Sequence, residues 1–149
     1  MMHIAKNLGL SLALLISLAT GCGPAQPTGD RETTVSAGGE LTYQGKPLPY
    51  HQVLLTPESS KRPAAGVTDE SGKFVLGTNE PGDGAIAGKH QVSVVYVGPP
   101  GSGGDGINDF TPPPPPKVKI PAKYQRAETS GVSVEVPDGG DQALKINLP

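Results

Sequence analysis

The longest strand-like stretch of this protein is GKHQVSVVYV, at positions 88–97. Every second residue from His90 to Tyr96 would share one face, because successive side chains of a strand point to opposite sides. Alternation over this length is typical of a strand with one buried and one solvated face. The stretch therefore predicts β structure rather than helix.

Further short stretches show the same alternation and are bounded by Gly, Pro, Asn or Asp. They lie at 34–43, 51–56, 64–68, 73–78, 131–136 and 143–148. After Cys22, apolar residues do not keep helical spacing for three turns. Seven short strands with regular turn signals predict an all-β fold, an antiparallel two-sheet sandwich with essentially no helix.

Composition limits the core and the partners of this chain. Its 149 residues suit one domain, and an apolar share of 35% with no Trp predicts a modest core of Val, Leu and Ile. A formal net charge of −2 argues against nucleic acid, since binding phosphates requires a basic face. No sequence feature indicates a cofactor.

The first 21 residues have the pattern of a secretory signal peptide. Lys6 supplies the basic start, LGLSLALLISL follows at 8–18, and small residues precede Cys22. The apolar run is well short of the roughly 20 residues that a membrane-spanning helix needs. We therefore predict that residues 1–21 are removed.

Cys22 is the only cysteine of the chain. The segment Leu18-Ala19-Thr20-Gly21-Cys22 resembles the lipobox of bacterial lipoproteins, which implies cleavage before Cys22 and a lipid anchor on it. Residues 22–33 are small and polar and predict a flexible tether. Gly23, by resemblance to Gram-negative sorting, favours the outer membrane of the cell envelope. The alternative is an ordinary signal peptide with an incidental cysteine.

Several motifs in the mature chain occur in a characteristic order. They are GELTYQGKPL at 39–48, VLLTP at 53–57, TDESGKF at 68–74, GKHQVSV at 88–94 and IPAKY at 120–124. Together they resemble the carboxypeptidase regulatory-like, transthyretin-like β-sandwich family. The resemblance implies such a sandwich over 34–149, serving as a non-enzymatic accessory module.

Within TDESGKF we assign structural roles to Asp69, Gly72 and Phe74. Asp69 can accept hydrogen bonds from backbone amides across the turn, and Gly72 can supply a positive φ. Phe74 is expected in the core.

No catalytic constellation is evident in the mature chain. His51 and His90 are its two histidines, and His90 shares the apolar face of its strand. A related transthyretin-like enzyme, hydroxyisourate hydrolase, ends in a Tyr-Arg-Gly-Ser signature that this chain lacks. We therefore predict that the protein is not an enzyme.

The acids of the Gly-rich loops do not have the spacing of a known calcium loop. Glu80, Asp83, Asp105 and Asp109 are interpreted as solvated turn residues, so no metal site is predicted.

The segment 98–117 is a Gly- and Pro-rich insertion with five consecutive prolines at 112–116. Proline cannot donate to a sheet, so the insertion is expected to be exposed. Asp105, Asp109 and Phe110 are its candidate binding residues. We expect a structural or interaction module held at the membrane through Cys22, with an envelope protein or glycan as partner. The alternative is a peptide- or glycan-binding protein that uses this loop.

Overall fold

The computed structural model describes residues 31–60, 62–103 and 111–149. Its strands are β1 Ala37–Tyr43, β2 Lys46–Pro47, β3 His51–Pro57, β4 Ala64–Val67, β5 Lys73–Val75, β6 Gly88–Tyr96, β7 Ser133–Val136 and β8 Asp141–Leu148. A 3-10 turn at Ala122–Gln125 and one α-helical turn, α1, at Ala127–Ser130 lie between β6 and β7. The strand β2 is additional to the seven expected strands, because two residues are too short to show alternation.

The strands form two sheets, which confirms the predicted all-β class. In the first sheet, β1 pairs with β2 and β5 antiparallel and with β8 parallel. The second sheet has the order β4-β3-β6-β7, with every pair antiparallel. The parallel pair departs from the antiparallel expectation. Since β1 and β8 lie far apart in the chain, no hairpin dictates their relative direction.

The core lies between the sheets and is built from alternate strand residues, as the period-two pattern predicts. Its fully buried large side chains include Leu41, Leu48, Val53, Leu55, Leu76, Val92, Val94, Tyr124, Val136 and Leu148. Tyr124 comes from the 3-10 turn, and its hydroxyl donates to the Pro149 carbonyl at 2.6 Å. The two helical turns agree with the expectation of essentially no helix. Each is a single turn and so carries no helical periodicity.

The sandwich has two distinguishable ends. At the N-terminal end, Val35 pairs with Ala85, and the Glu32 amide donates to Asn79 Oδ1 at 3.0 Å. At the opposite, distal end, His51 of β3 faces Tyr96 of β6. Strand β1 runs from the first end to the second over seven residues, about 23 Å at 3.3 Å per residue.

Within the described ranges, helices are limited to these single turns, and none is long and apolar enough to cross a membrane.

Candidate functional site

The distal end contains a small cavity of about 130 Å³, which we call the proline–tyrosine cavity. It is lined by Pro49, Tyr50, His51, Tyr96, Pro99, Pro114, Pro115, Lys117 and Val118. Three chain segments therefore meet there: the turn before β3, the end of β6 and the returning part of the 98–117 insertion. Its wall is mostly apolar, and ring-shaped side chains form most of it.

Tyr50 stands at the turn into β3 with a positive φ of 59°. This left-handed conformation is uncommon for a residue with a side chain and needs compensating contacts. Its amide donates to the Thr68 carbonyl at 3.0 Å, and its hydroxyl donates to Glu70 at 2.8 Å. The hydrogen bond to Glu70 raises the pKa of Tyr50 and keeps the hydroxyl protonated. Both bonds hold the ring at the cavity wall.

His51 is 1% exposed and forms part of the same wall. Its Nδ1 lies 2.8 Å from the Pro49 carbonyl. A carbonyl can only accept, so Nδ1 carries the proton and Nε2 is an unprotonated acceptor. Burial lowers the pKa of His51, which keeps the ring neutral at pH 7. Nε2 is buried and has no hydrogen-bond partner among the described residues.

Tyr96 connects His51 to the proline segment. Its ring meets the His51 ring edge-on with centroids 5.2 Å apart. Its hydroxyl donates to the Pro114 carbonyl at 2.8 Å. Gly98, with φ of 84°, lies against Pro113 so closely that a Cβ would collide with the proline ring. The returning half of the insertion therefore packs against the end of β6, although Pro114 itself is exposed.

The turn motif at 68–74 lies beside this end of the fold. Asp69 Oδ1 accepts hydrogen bonds from the Ser71 hydroxyl at 2.7 Å and from the Ser71 and Lys73 amides at 2.8 and 3.0 Å. The bonds from Ser71 and Lys73 lower the pKa of Asp69. Gly72 has φ of 81°, and a Cβ there would meet the Leu41 carbonyl. Phe74 is 4% exposed in the core. The Asp69 hydrogen bonds and the conformation of Gly72 serve the turn, whereas Glu70 accepts from the Tyr50 hydroxyl and Phe74 packs in the core.

The remaining candidate residues fall outside the described ranges. These are Cys22, which precedes the described residues, and Asp105, Asp109 and Phe110 in the insertion. The cavity itself was missed by sequence reasoning, which treated His51 as an isolated histidine. The positions of His51 and Tyr96 at the ends of their strands could have indicated that the two residues meet. In an antiparallel pair the first residue of β3 faces the last of β6, which brings His51 opposite Tyr96.

The described residues offer little for hydrolysis or metal binding. His90 lies near the N-terminal end, where its Nε2 donates to the Ile86 carbonyl at 2.7 Å, so the two histidines do not form a pair. Among the residues that the structure describes, no group of three or more His, Cys, Asp or Glu side chains is placed to hold a metal ion. The wall of the proline–tyrosine cavity is instead mostly apolar.

Comparison with family models, with curated proteins and with solved structures finds no match to this chain.

Proposed function

We propose that this protein is a non-enzymatic lipoprotein of the cell envelope, anchored through Cys22, whose transthyretin-like sandwich serves as an interaction module. The observation that carries the proposal is the separation of the two ends of the fold. The chain enters the domain at one end, and the proline–tyrosine cavity lies at the other.

The entry point is fixed by several contacts. Arg31 and Glu80 form an ion pair at 2.7 Å, and the Asn79 side chain donates to the Glu32 carbonyl at 3.0 Å. Nine residues follow Cys22 up to Arg31, enough to reach about 30 Å when extended. With its lipid in the bilayer, the domain would hold its distal end away from the membrane and open to a partner.

The strand order supports the family resemblance as a proposal. Two four-stranded sheets enclose one core, and the TDESGKF motif turns between β4 and β5. Domains with this architecture supply a rigid frame, while specificity comes from the loops at the end of the sandwich.

One observation favours peptide binding over glycan binding as the form that this interaction takes. Pro114 and Pro115 of the insertion line the cavity, and the hydroxyls of Tyr50 and Tyr96 are already engaged within the protein. Glycans need many free polar partners, whereas this wall is mostly apolar. A side chain from a peptide suits it better.

The anchor is tested by Cys22→Ser in the native host, followed by fractionation of membranes washed at high salt. We expect the wild-type protein in the membrane pellet and the variant either soluble or unprocessed, because the thiol that accepts the lipid is gone. Thr20→Ser, which keeps a small residue before the cleavage point, is the matched control and should remain anchored. A Cys22→Ser protein that stays in the pellet at the wild-type level would refute the lipoprotein assignment.

A further inference from the structure

We propose that the five prolines at 112–116, which we call the proline run, are a ligand for a partner protein whose groove is lined by aromatic side chains and flanked by an acidic residue. The inference rests on the proposed function, since it names the kind of partner that the interaction module would bind.

Consecutive prolines restrict the backbone of the run to one conformation. Each ring holds φ at about −65°, and a residue that precedes a proline is kept out of the helical region. Residues 112–115 meet both conditions, and the described peptide bonds are trans. The result is a polyproline II helix, with about 3 residues per turn and a rise of about 3.1 Å per residue. Pro112 and Pro115 therefore share one edge of this helix, about 9 Å apart.

The fold holds the run in place without burying it. The Tyr96 hydroxyl donates to the Pro114 carbonyl at 2.8 Å, and Pro113 lies against Gly98. Residues 112–115 are nevertheless all exposed. A segment that is already ordered loses little entropy when a partner docks on it, which favours binding.

The carbonyl groups of the run are the acceptors that such a partner would use. Within the described ranges, the Pro114 carbonyl is the only one of the five that accepts a hydrogen bond. A polyproline II helix has no internal hydrogen bonds, so its other carbonyls stay open to a donor. Grooves that bind such helices are lined by aromatic rings, and the Trp N–H and Tyr O–H supply donors beside those rings. The exposed edge of the run therefore suits a groove of Trp and Tyr.

The charges beside the run determine what should flank the groove. Lys117 and Lys119 are exposed, and the stretch 111–124 contains no Asp or Glu. Neither lysine forms an ion pair with another described residue. Pro112, Pro115 and Lys117 thus have the spacing Pro-x-x-Pro-x-Lys. An acidic residue at the end of the groove would complement Lys117 and fix the direction of docking.

A purely structural role explains less of this arrangement. The contacts of Pro113 and Pro114 would be enough to hold the insertion against β6. They do not account for an exposed edge at Pro112 and Pro115 followed by lysines without an acidic partner. Pro115 and Lys117 also line the proline–tyrosine cavity, so the run and the cavity belong to one surface at the distal end.

The first experiment measures whether the folded protein presents the run. The probe is a purified SH3 domain selected because it binds the free peptide TPPPPPKVK, which is the sequence at 111–119. The chain has no Trp, so the fluorescence of the groove tryptophan reports on the probe alone. We expect the purified full chain to bind at least as tightly as the peptide. Binding weaker than that of the peptide by about 10-fold or more would overturn the proposal, because the fold would then hide the run.

Paired variants test which residues are recognised. Pro112→Ala combined with Pro115→Ala should weaken binding by at least about 10-fold, the effect expected when anchor residues are truncated. Pro100→Ala combined with Pro137→Ala, which alters two exposed prolines outside the run, is the matched control and should bind like the wild-type protein. Equal affinities of the two double variants would contradict the assignment.

The role of the flanking charge is tested by Lys117→Gln. Its affinity for the probe should fall at low salt, and the difference from the wild-type protein should shrink as salt screens the charge. A difference that does not change with salt would contradict an ionic role for Lys117.

The last experiment tests the inference in the native host. A photoreactive benzophenone side chain at position 119 should crosslink to an envelope protein at a surface that contains Trp or Tyr, as mapped by mass spectrometry. The double variant at Pro112 and Pro115 should lose this crosslink, and the control double variant should keep it. A missing crosslink, a crosslinked surface without aromatic residues, or a crosslink that survives the loss of both prolines would overturn this inference alone if the protein remains anchored through Cys22. A failed anchoring test would count against the proposed function instead.

Discussion

Phe74 and Val75 are neighbours on β5 whose side chains have opposite surroundings. Phe74 is 4% exposed in the core and Val75 is 56% exposed on the outer face of the first sheet. We expect Phe74→Ala to lower the free energy of unfolding by about 3–5 kcal/mol, through lost burial and the cavity left behind. Val75→Ala should change it by less than about 0.5 kcal/mol. Urea unfolding of both variants tests this, and similar midpoints would contradict the assigned packing.

His51 makes the stability of the fold depend on pH. Burial lowers its pKa in the folded protein below the ordinary value near 6.5. Below about pH 6.5 the unfolded chain takes up a proton that the folded chain resists, so the free energy of unfolding falls as the pH falls. One such site contributes a slope of at most about 1.4 kcal/mol per pH unit. We expect this loss between pH 7 and pH 5 in urea unfolding.

The matched variant for this measurement is His51→Phe, which keeps a ring and removes the titrating group. Its stability should depend less on pH over the same range, whatever its absolute stability. The same slope in His51→Phe and in the wild-type protein would show that other groups cause the dependence.

At the scale of elements, the contact between β1 and β8 depends on Gly39. A Cβ at Gly39 would collide with the Leu144 carbonyl, at the point where the register of the parallel pair shifts. We expect Gly39→Ala to cost at least about 1–3 kcal/mol, because the two backbones must separate. Gly139→Ala is the control, since a Cβ there has open space around it. Equal thermal stability of the two variants would show that β8 pairs less closely than the structure has it.

The elements differ in how far sequence could predict them. Long alternating stretches such as 88–97 gave strands at the expected places, because a buried face imposes a period of two. β2 and α1 escaped prediction, since two or four residues cannot display a period. The direction of β8 relative to β1 could not be predicted from the sequence either, because the pairing of strands so far apart in the chain is set by the packing of the sheets.

At the scale of the whole molecule, the candidate site could not be predicted from the sequence either. Pro49, His51, Tyr96 and Pro114 are unremarkable in sequence and come together only when three segments meet at the distal end. The Asp69 hydrogen bonds of the turn motif at 68–74, by contrast, join residues no more than four positions apart and could be interpreted locally. Local chemistry is visible in a sequence, and a cavity built from distant segments is not.

The proposed anchoring at Cys22 and the orientation that it implies lead to a further prediction. Lys46 is exposed at the distal end, and Ser59 is exposed near the N-terminal end. If Cys22 carries the proposed lipid and is therefore blocked, Lys46→Cys should react faster than Ser59→Cys with a bulky maleimide on membrane-bound protein. The two rates should become similar in detergent, where no bilayer shields the N-terminal end. Faster labelling of Ser59→Cys on the membrane would contradict the proposed orientation.

The parallel pairing of β1 with β8 also governs the order in which the molecule can assemble. The Thr42 hydroxyl of β1 bonds Asn147 of β8, which lies 105 positions later in the chain. The pairing of β1 with β8 can therefore form only after the last strand has been synthesised. Until then one edge of β1 is unsatisfied, and closing so long a loop makes folding slow. For the exported lipoprotein proposed above, such a delay would keep the chain unfolded while it crosses the membrane. A product truncated before β8 would keep that edge open and be removed by proteases or aggregate.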